Sequence, residues 1–245
     1  MNGNGDIAGE TGAARAERPP APAAPPITVV YYTDPLCCWS WAFEPHWRRL
    51  RDAFGGALAC RYRMAGMIAD WDSYNDPLNA VSRPVQMGPI WRQAQHLSGV
   101  PVDDRIWVLD PPASSYPACL AVKAAELQSV EAADLYLRRL REAVMAQRRN
   151  IARREVLLEV ADEAAAAAPD RLDAARLRHD LDSAPARDAL REDIKEARYR
   201  GIGRFPTLTL RHAGGAGVMI VGYRPYEVLL AAIARIAPEL APRDS

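Results

Sequence analysis

Thr33-Asp-Pro-Leu-Cys-Cys-Trp-Ser-Trp-Ala-Phe-Glu-Pro45, "TDPLCCWSWAFEP", sits where two kinds of pattern meet. Before it runs "ITVVYYT" (27–33), a β-branched and aromatic stretch of the kind that forms a buried strand, which Asp34 and Pro35 stop. After it, from about Cys37 to Phe54, Trp41, Trp47, Leu50 and Phe54 recur at helical spacing, and Gly55-Gly56 ends the helix. Two adjacent cysteines thus stand at a strand-to-helix junction. A helix N-terminus presents unpaired N–H groups and the positive end of the macrodipole, both of which favour an anion. A thiol there is expected to ionise below its ordinary value of about 8.5, so Cys37 is the candidate reactive sulfur. The bland alternative is that Cys37 and Cys38 are small buried hydrophobes.

Outward from the junction, "LACRYRM" (58–64) reads as a second strand, so the chain opens strand, helix, strand. Between about 84 and 200 the pattern is almost wholly helical, in "RPVQMGPIWRQAQHL", "SYPACLAVKAAELQ", "VEAADLYLRRLREAVMAQ", "REVLLEVADEAAAA" and "APARDALREDIKEARYR". Leu137, Leu140 and Val144 make an inward stripe, with Arg138, Arg139 and Arg141 expected on a solvated face. After Gly201 and Gly203, "PTLTL" and "GVMIVG" restore the β pattern, and a last helix is expected over about Tyr226–Ile236. The economical architecture is α/β: one mixed sheet built from both ends, residues 27–74 and 201–240, with an all-helical domain inserted over 75–200. Residues 1–26, rich in Gly and Pro and poor in large apolar side chains, are expected to be a disordered tail.

Composition narrows the function. The 245 residues are 49% hydrophobic, enough for a sizeable core, and 31 basic side chains balance 31 acidic ones. No overall field favours nucleic acid or an anionic membrane. There is no secretory leader pattern, and "VLLAAIA" (228–234) is far too short to cross a bilayer, so a cytoplasmic protein is expected. Cysteines at 37, 38, 60 and 119 do not form a disulfide framework, which fits a reducing compartment. Histidines 46, 96, 179 and 212 lack metal-ligand spacing, and no metal is expected. His46 is too far along the helix to serve Cys37 as a base. Asp34 is read as a strand terminator, Glu44 as a paired or solvated carboxylate beneath the helix with a proton-transfer group as the alternative, and Cys60 as core.

"YYTDPLCCWSWAFEP" together with Gly203-Arg-Phe-Pro-Thr-Leu208 resembles the active-site and cis-proline loops of the DsbA-like branch of the thioredoxin superfamily, in particular its cytosolic predicted disulfide isomerases. The resemblance covers about 27–236 and implies a thioredoxin-like fold with an inserted helical domain. By position it places the family's nucleophile on Cys37, its cis-proline on Pro206, its helix-kinking proline on Pro45 and its resolving cysteine on Ser40. The motif here is Cys-Cys-Trp-Ser, and a serine cannot attack a mixed disulfide. The resemblance therefore implies one-cysteine chemistry completed by an outside thiol such as glutathione, with no tightly bound cofactor. Cys37 and Ser40 are the expected catalytic residues; Cys38, Trp39, Arg204, Phe205 and Pro206 are the expected substrate surface, with Arg204 offering positive charge beside a thiolate. A Cys37–Cys38 disulfide would be strained, and Cys119 reaches the site only if its helix caps it; the sequence leaves both open as resolvers. Substrates would be protein disulfides or small thiols. Two other readings share this architecture: a glutathione-dependent isomerase or transferase of the kappa type, which is similar at Ser40-Trp41, and a non-catalytic adaptor that presents partners to proteases. Oligomeric state is not legible.

Overall fold

The structure, a computed structural model, describes residue 1 and residues 25–243. The tail expected over 1–26 thus falls, at residues 2–24, outside the described residues.

Strand β1 (Ile27–Thr33) leads into helix α1 (Cys38–Phe54), and β2 (Leu58–Met64) follows. Helices α2 (Met87–Ser98), α3 (Ile106–Leu109), α4 (Tyr116–Glu126), α5 (Val130–Met145), α6 (Arg154–Ala167), α7 (Ala174–Asp180) and α8 (Ala184–Tyr199) come next. Strands β3 (Thr207–His212) and β4 (Gly217–Val221) and helix α9 (Tyr226–Ile236) close the fold. The sheet order is β2-β1-β3-β4. β1 runs parallel to β2, Val29 facing Cys60, and antiparallel to β3, Val29 facing Leu210. A strand from the start of the chain therefore holds together strands from both ends.

Successive side chains of a strand point to opposite faces; one face of β1 is fully buried, and the other passes from exposed Thr28 through half-buried Val30 to buried Tyr32. Ile27, Val29 and Tyr31 are fully buried in the main core, which also holds Phe43, Trp47, Leu229 and Ile233. The Tyr31 ring meets Phe43 and Trp47 edge-on at 5.9 and 5.3 Å between centroids. On the other face Tyr32 packs with Ala197 of α8 and with Ile202, and its hydroxyl donates to Glu196 over 2.7 Å. Burial on both faces over the C-terminal half of β1 fits the continuous apolar run Val29–Tyr32.

Two short helices, α3 and α7, have no counterpart in the sequence reading. α3 is a single turn, and α7 buries only Leu177, so neither carries an apolar stripe long enough to show. One side chain contradicts the expected pattern: Arg141 is buried, not solvated. It lies an i,i+4 step from Leu137 and an i,i+3 step from Val144, so it belongs to the inward stripe. Cys60, expected as core, is only half-buried at the core's margin.

Candidate active site

The loop before α1 is clamped from inside. Asp34, fully buried, accepts hydrogen bonds from the N–H groups of Leu36 (2.9 Å) and Met67 (2.6 Å), the Ser115 hydroxyl (2.8 Å) and the Cys119 thiol (3.4 Å). It is thus more than a strand stop: it ties the loop to α4 and to the segment after β2. Burial raises its pKa against the pull of these donors. From this clamp the chain turns into α1 with Cys37 at the N-cap in an extended conformation; its N–H donates to the Asp34 carbonyl, and its carbonyl accepts from Ser40 and Trp41, all at 3.1 Å.

The Cys37 thiol donates to the Phe205 carbonyl oxygen, 3.7 Å away. The Phe205–Pro206 bond is cis, and β3 starts one residue later than the sequence pattern suggests, at Thr207, because proline has no N–H for the ladder. Cys37, Trp39, Arg204 and Phe205 line an open cleft of about 910 Å³ together with residues of the 65–79 segment, Gln93 and Leu97 of α2, and Tyr223-Arg224. The Trp39 ring lies 6.2 Å from that of Tyr223, whose hydroxyl bonds to His46 at 3.0 Å. His46 thus buttresses the cleft wall from behind.

Of the expected site residues, Ser40 is fully buried beneath Cys37, its oxygen accepting from the Thr33 hydroxyl at 2.9 Å. Cys38 does not join the surface. One helical step turns it away, into the core, where its thiol points at the Ile90 carbonyl over 4.0 Å. Pro206 is buried behind Phe205. Cys119 faces Asp34 under the loop, and Cys60 lines a separate cavity of about 450 Å³ with Arg48 and Asp134. All four cysteines are free, and Cys37 is the one that lines the cleft. Glu44 is paired, accepting from Arg48 at 2.7 Å and Arg141 at 2.8 Å.

The ionisation of Cys37 differs from the expectation. The residue is 5% exposed, and burial pushes the thiol above its ordinary value, with the Asp34 carboxylate adding to the rise; the Ser40 hydroxyl and N–H and the Arg141 guanidinium pull the other way. Burial also raises Cys38 and Cys119 well above normal and Cys60 to about 11. The helix N-terminus supplies a local field, whereas desolvation is determined by the whole folded neighbourhood and outweighs it here. The cation acting on Cys37 is Arg141 from the interior, in place of the expected Arg204. Because the raised pKa keeps the group a thiol near neutrality, Cys37 alkylation by iodoacetamide should climb tenfold per pH unit through neutrality and level off only above the free-thiol value of about 8.5. Peptide mass spectrometry of the alkylated protein reads this, and a plateau already reached near neutral pH would overturn it.

Among the described residues no group of histidine, cysteine or carboxylate side chains is arranged to hold a metal ion, and no helix is long and apolar enough to cross a membrane.

A family model described as Thioredoxin matches residues 31–231. The chain is 30% identical over 205 residues to the ClpXP adapter protein SpxH of Halalkalibacterium halodurans, covering 83% of this chain and 65% of that protein. It therefore spans just under two thirds of the length of that curated relative. Among solved structures it is similar to a candidate protein disulfide isomerase of Nitrosomonas europaea, with a TM-score of 0.69 at 20% identity over 85% of this chain and 96% of that one. The cytosolic disulfide reductase DsbM of Pseudomonas aeruginosa gives a TM-score of 0.63 at 23% identity, over 85% and 98% of the two chains, and has also been solved with GSH.

Proposed function

The chain belongs to the thioredoxin family, in its DsbA-like form with helices between β2 and β3, and from that premise we propose that it is a one-cysteine thiol-disulfide oxidoreductase whose cycle is completed by a low-molecular-weight thiol, glutathione or an equivalent. One observation carries this reading. Cys37 is the cleft's sulfur, and no second protein thiol faces it: Ser40 stands at the resolving position, Cys38 points to Ile90, Cys119 to Asp34, and Cys60 lies in another cavity. The Cys37 thiolate attacks a disulfide, one sulfur leaves as thiolate and takes up a proton, and a mixed disulfide remains. An external thiolate then attacks the substrate sulfur of the mixed disulfide, the bond from that sulfur to Cys37 breaks, the product leaves as a disulfide with the external thiol, and the released Cys37 thiolate takes up a proton. A reducing compartment, the cytoplasm, supplies that thiol.

The cleft fits an anionic thiol. Arg198, Arg204 and Arg224 line it against one carboxylate, Asp76, and guanidinium groups bind carboxylates bidentately. The Phe205 carbonyl beside Cys37 is placed to pair with an extended peptide-like substrate.

The test starts with protein treated with oxidised glutathione and weighed intact. A single glutathionyl adduct on Cys37, removed by reduced glutathione and absent from Cys37→Ser, is the expected result. Adducts on Cys60 or Cys119 instead, or none, would overturn the reading.

A second reading, a protein adaptor, is favoured by two observations: the relative at 30% identity is named as one, and exposed Leu78 and Leu97 line the same cleft, where a protein partner would cover them. Partner capture unchanged by Cys37→Ala, with no disulfide turnover in the parent, would establish it.

A further inference from the structure

Arg141 is an expensive residue to place where it is. Its side chain is 1% exposed, its Nε has no hydrogen-bond partner, and its guanidinium sits 5.7 Å from the centre of the Tyr31 ring. Nη1 donates to Glu44 Oε2 at 2.8 Å, and Nη2 donates to the Thr33 hydroxyl oxygen. A guanidinium can only donate. The Thr33 oxygen must accept that proton, which leaves its own proton for the Ser40 oxygen at 2.9 Å. With Ser40 already accepting, the Ser40 proton is left for the Cys37 sulfur, three residues away on the same face of α1.

We infer that Arg141 and Thr33 are positioning residues for Cys37, forming with Ser40 a one-way hydrogen-bond chain that begins on a buried cation and ends on the reactive sulfur, where it stabilises the thiolate. The inference rests on the reading of Cys37 as the reacting group and says how its thiolate forms in an apolar pocket. Direction is the essential point. Were the chain reversed, the Ser40 proton would be spent on Thr33; with Arg141 at its head that proton is free for the sulfur. The serine at the resolving position then has a use of its own. Opposing the chain is Asp34, beneath the loop; the Tyr31 hydroxyl lies beside Ser40 and Thr33, Arg204 and Arg224 line the same cleft as Cys37, and Glu44 offsets part of the Arg141 charge.

Thr33→Val removes the middle link with little change of volume and leaves both the Arg141–Glu44 pair and the backbone bond from Ala65 N to Thr33 O (2.9 Å) in place. Its Cys37 alkylation curve should move to higher pH, with a rate near neutrality about threefold to tenfold below the parent. Thr33→Ser should stay within about twofold of the parent, since the hydroxyl that relays the chain is kept. Should Thr33→Val unfold, Ser40→Ala cuts the last link and should give the same upward displacement. The double variant should shift no further than either single one, because links of one chain are not additive. A Thr33→Val or Ser40→Ala curve that overlays the parent's, in protein with parental thermal unfolding, overturns the inference, as does a Thr33→Ser curve that matches Thr33→Val. Alkylation needs no disulfide substrate, so the outcome is separate from that of the glutathionylation experiment: a protein with no turnover can still show the chain, and a turning-over protein can lack it.

Discussion

Ser40→Cys should turn a protein that depends on added thiol into one that does not. The side chain at 40 stands three residues beyond the N-cap cysteine, on the same face of α1 and directly beneath it. A thiol there meets the Cys37 mixed disulfide from the protein side, closes an intramolecular disulfide and expels the substrate thiol. The parent has no such group, because its other three cysteines face Ile90, Asp34 and a different cavity. In a stoichiometric insulin-reduction assay, with the prereduced protein as the sole reductant or with glutathione added, and with Cys37→Ser as the blank, the parent should be near the blank when glutathione is withheld. The variant should exceed it by at least about tenfold, the effective-concentration advantage of a held nucleophile being large. Equal activity of parent and variant without glutathione would show that a native thiol already resolves the intermediate.

Arg141→Met is expected to cost the most stability of any single change at the site. The pair with Glu44 joins α5 to α1 across the interior, and both side chains are almost fully buried. Removing the cation leaves a buried carboxylate with Arg48 as its remaining partner, itself 26% exposed. Breaking a buried pair from one side costs about 3 to 5 kcal/mol, and for a chain of this size that lowers the thermal midpoint by about 6 to 20 °C. Adding Glu44→Gln should recover part of the loss, since the uncompensated charge is then gone. Thermal unfolding of the parent, Arg141→Met and the double variant measures both effects. A single variant within about 1 kcal/mol of the parent would mean the pair is solvated after all.

The two expectations differ in how far the sequence announces them. Strands β1 and β2 and helix α9 fall on the residues their patterns indicate, because turn residues bracket each apolar run. The positions of Cys37, Ser40, Trp39 and Phe205-Pro206 are legible because two short loops carry them in a fixed order along the chain. Arg141 was missed: the triple Arg138, Arg139, Arg141 looks like a charged face, although only the first two avoid the stripe through Leu137 and Val144. Thr33 and Asp34 look like the end of a strand, and only the packing of α4 and α5 against it turns them into hydrogen-bonding centres. The ionisation of Cys37 was misread for the same reason. A helix terminus is a local feature, whereas desolvation is the sum of everything that closes over the sulfur.

The order of the sheet bears on how the chain assembles during synthesis. β1 can pair with β2 as soon as residues 27–64 have emerged, but its other edge must wait for β3, residues 207–212, after the intervening helices α2 to α8. Through that interval the growing chain carries β1 with one row of N–H and C=O groups unpaired and α1 without α9, which packs on α1, β3 and β4. Non-local pairing of this kind is slow because loop closure must come first. The Phe205 carbonyl reaches Cys37 only when β3 docks, so the cleft is completed last, and a nascent chain that stalls before Thr207 has the Cys37 sulfur in place without the docked loop that faces it.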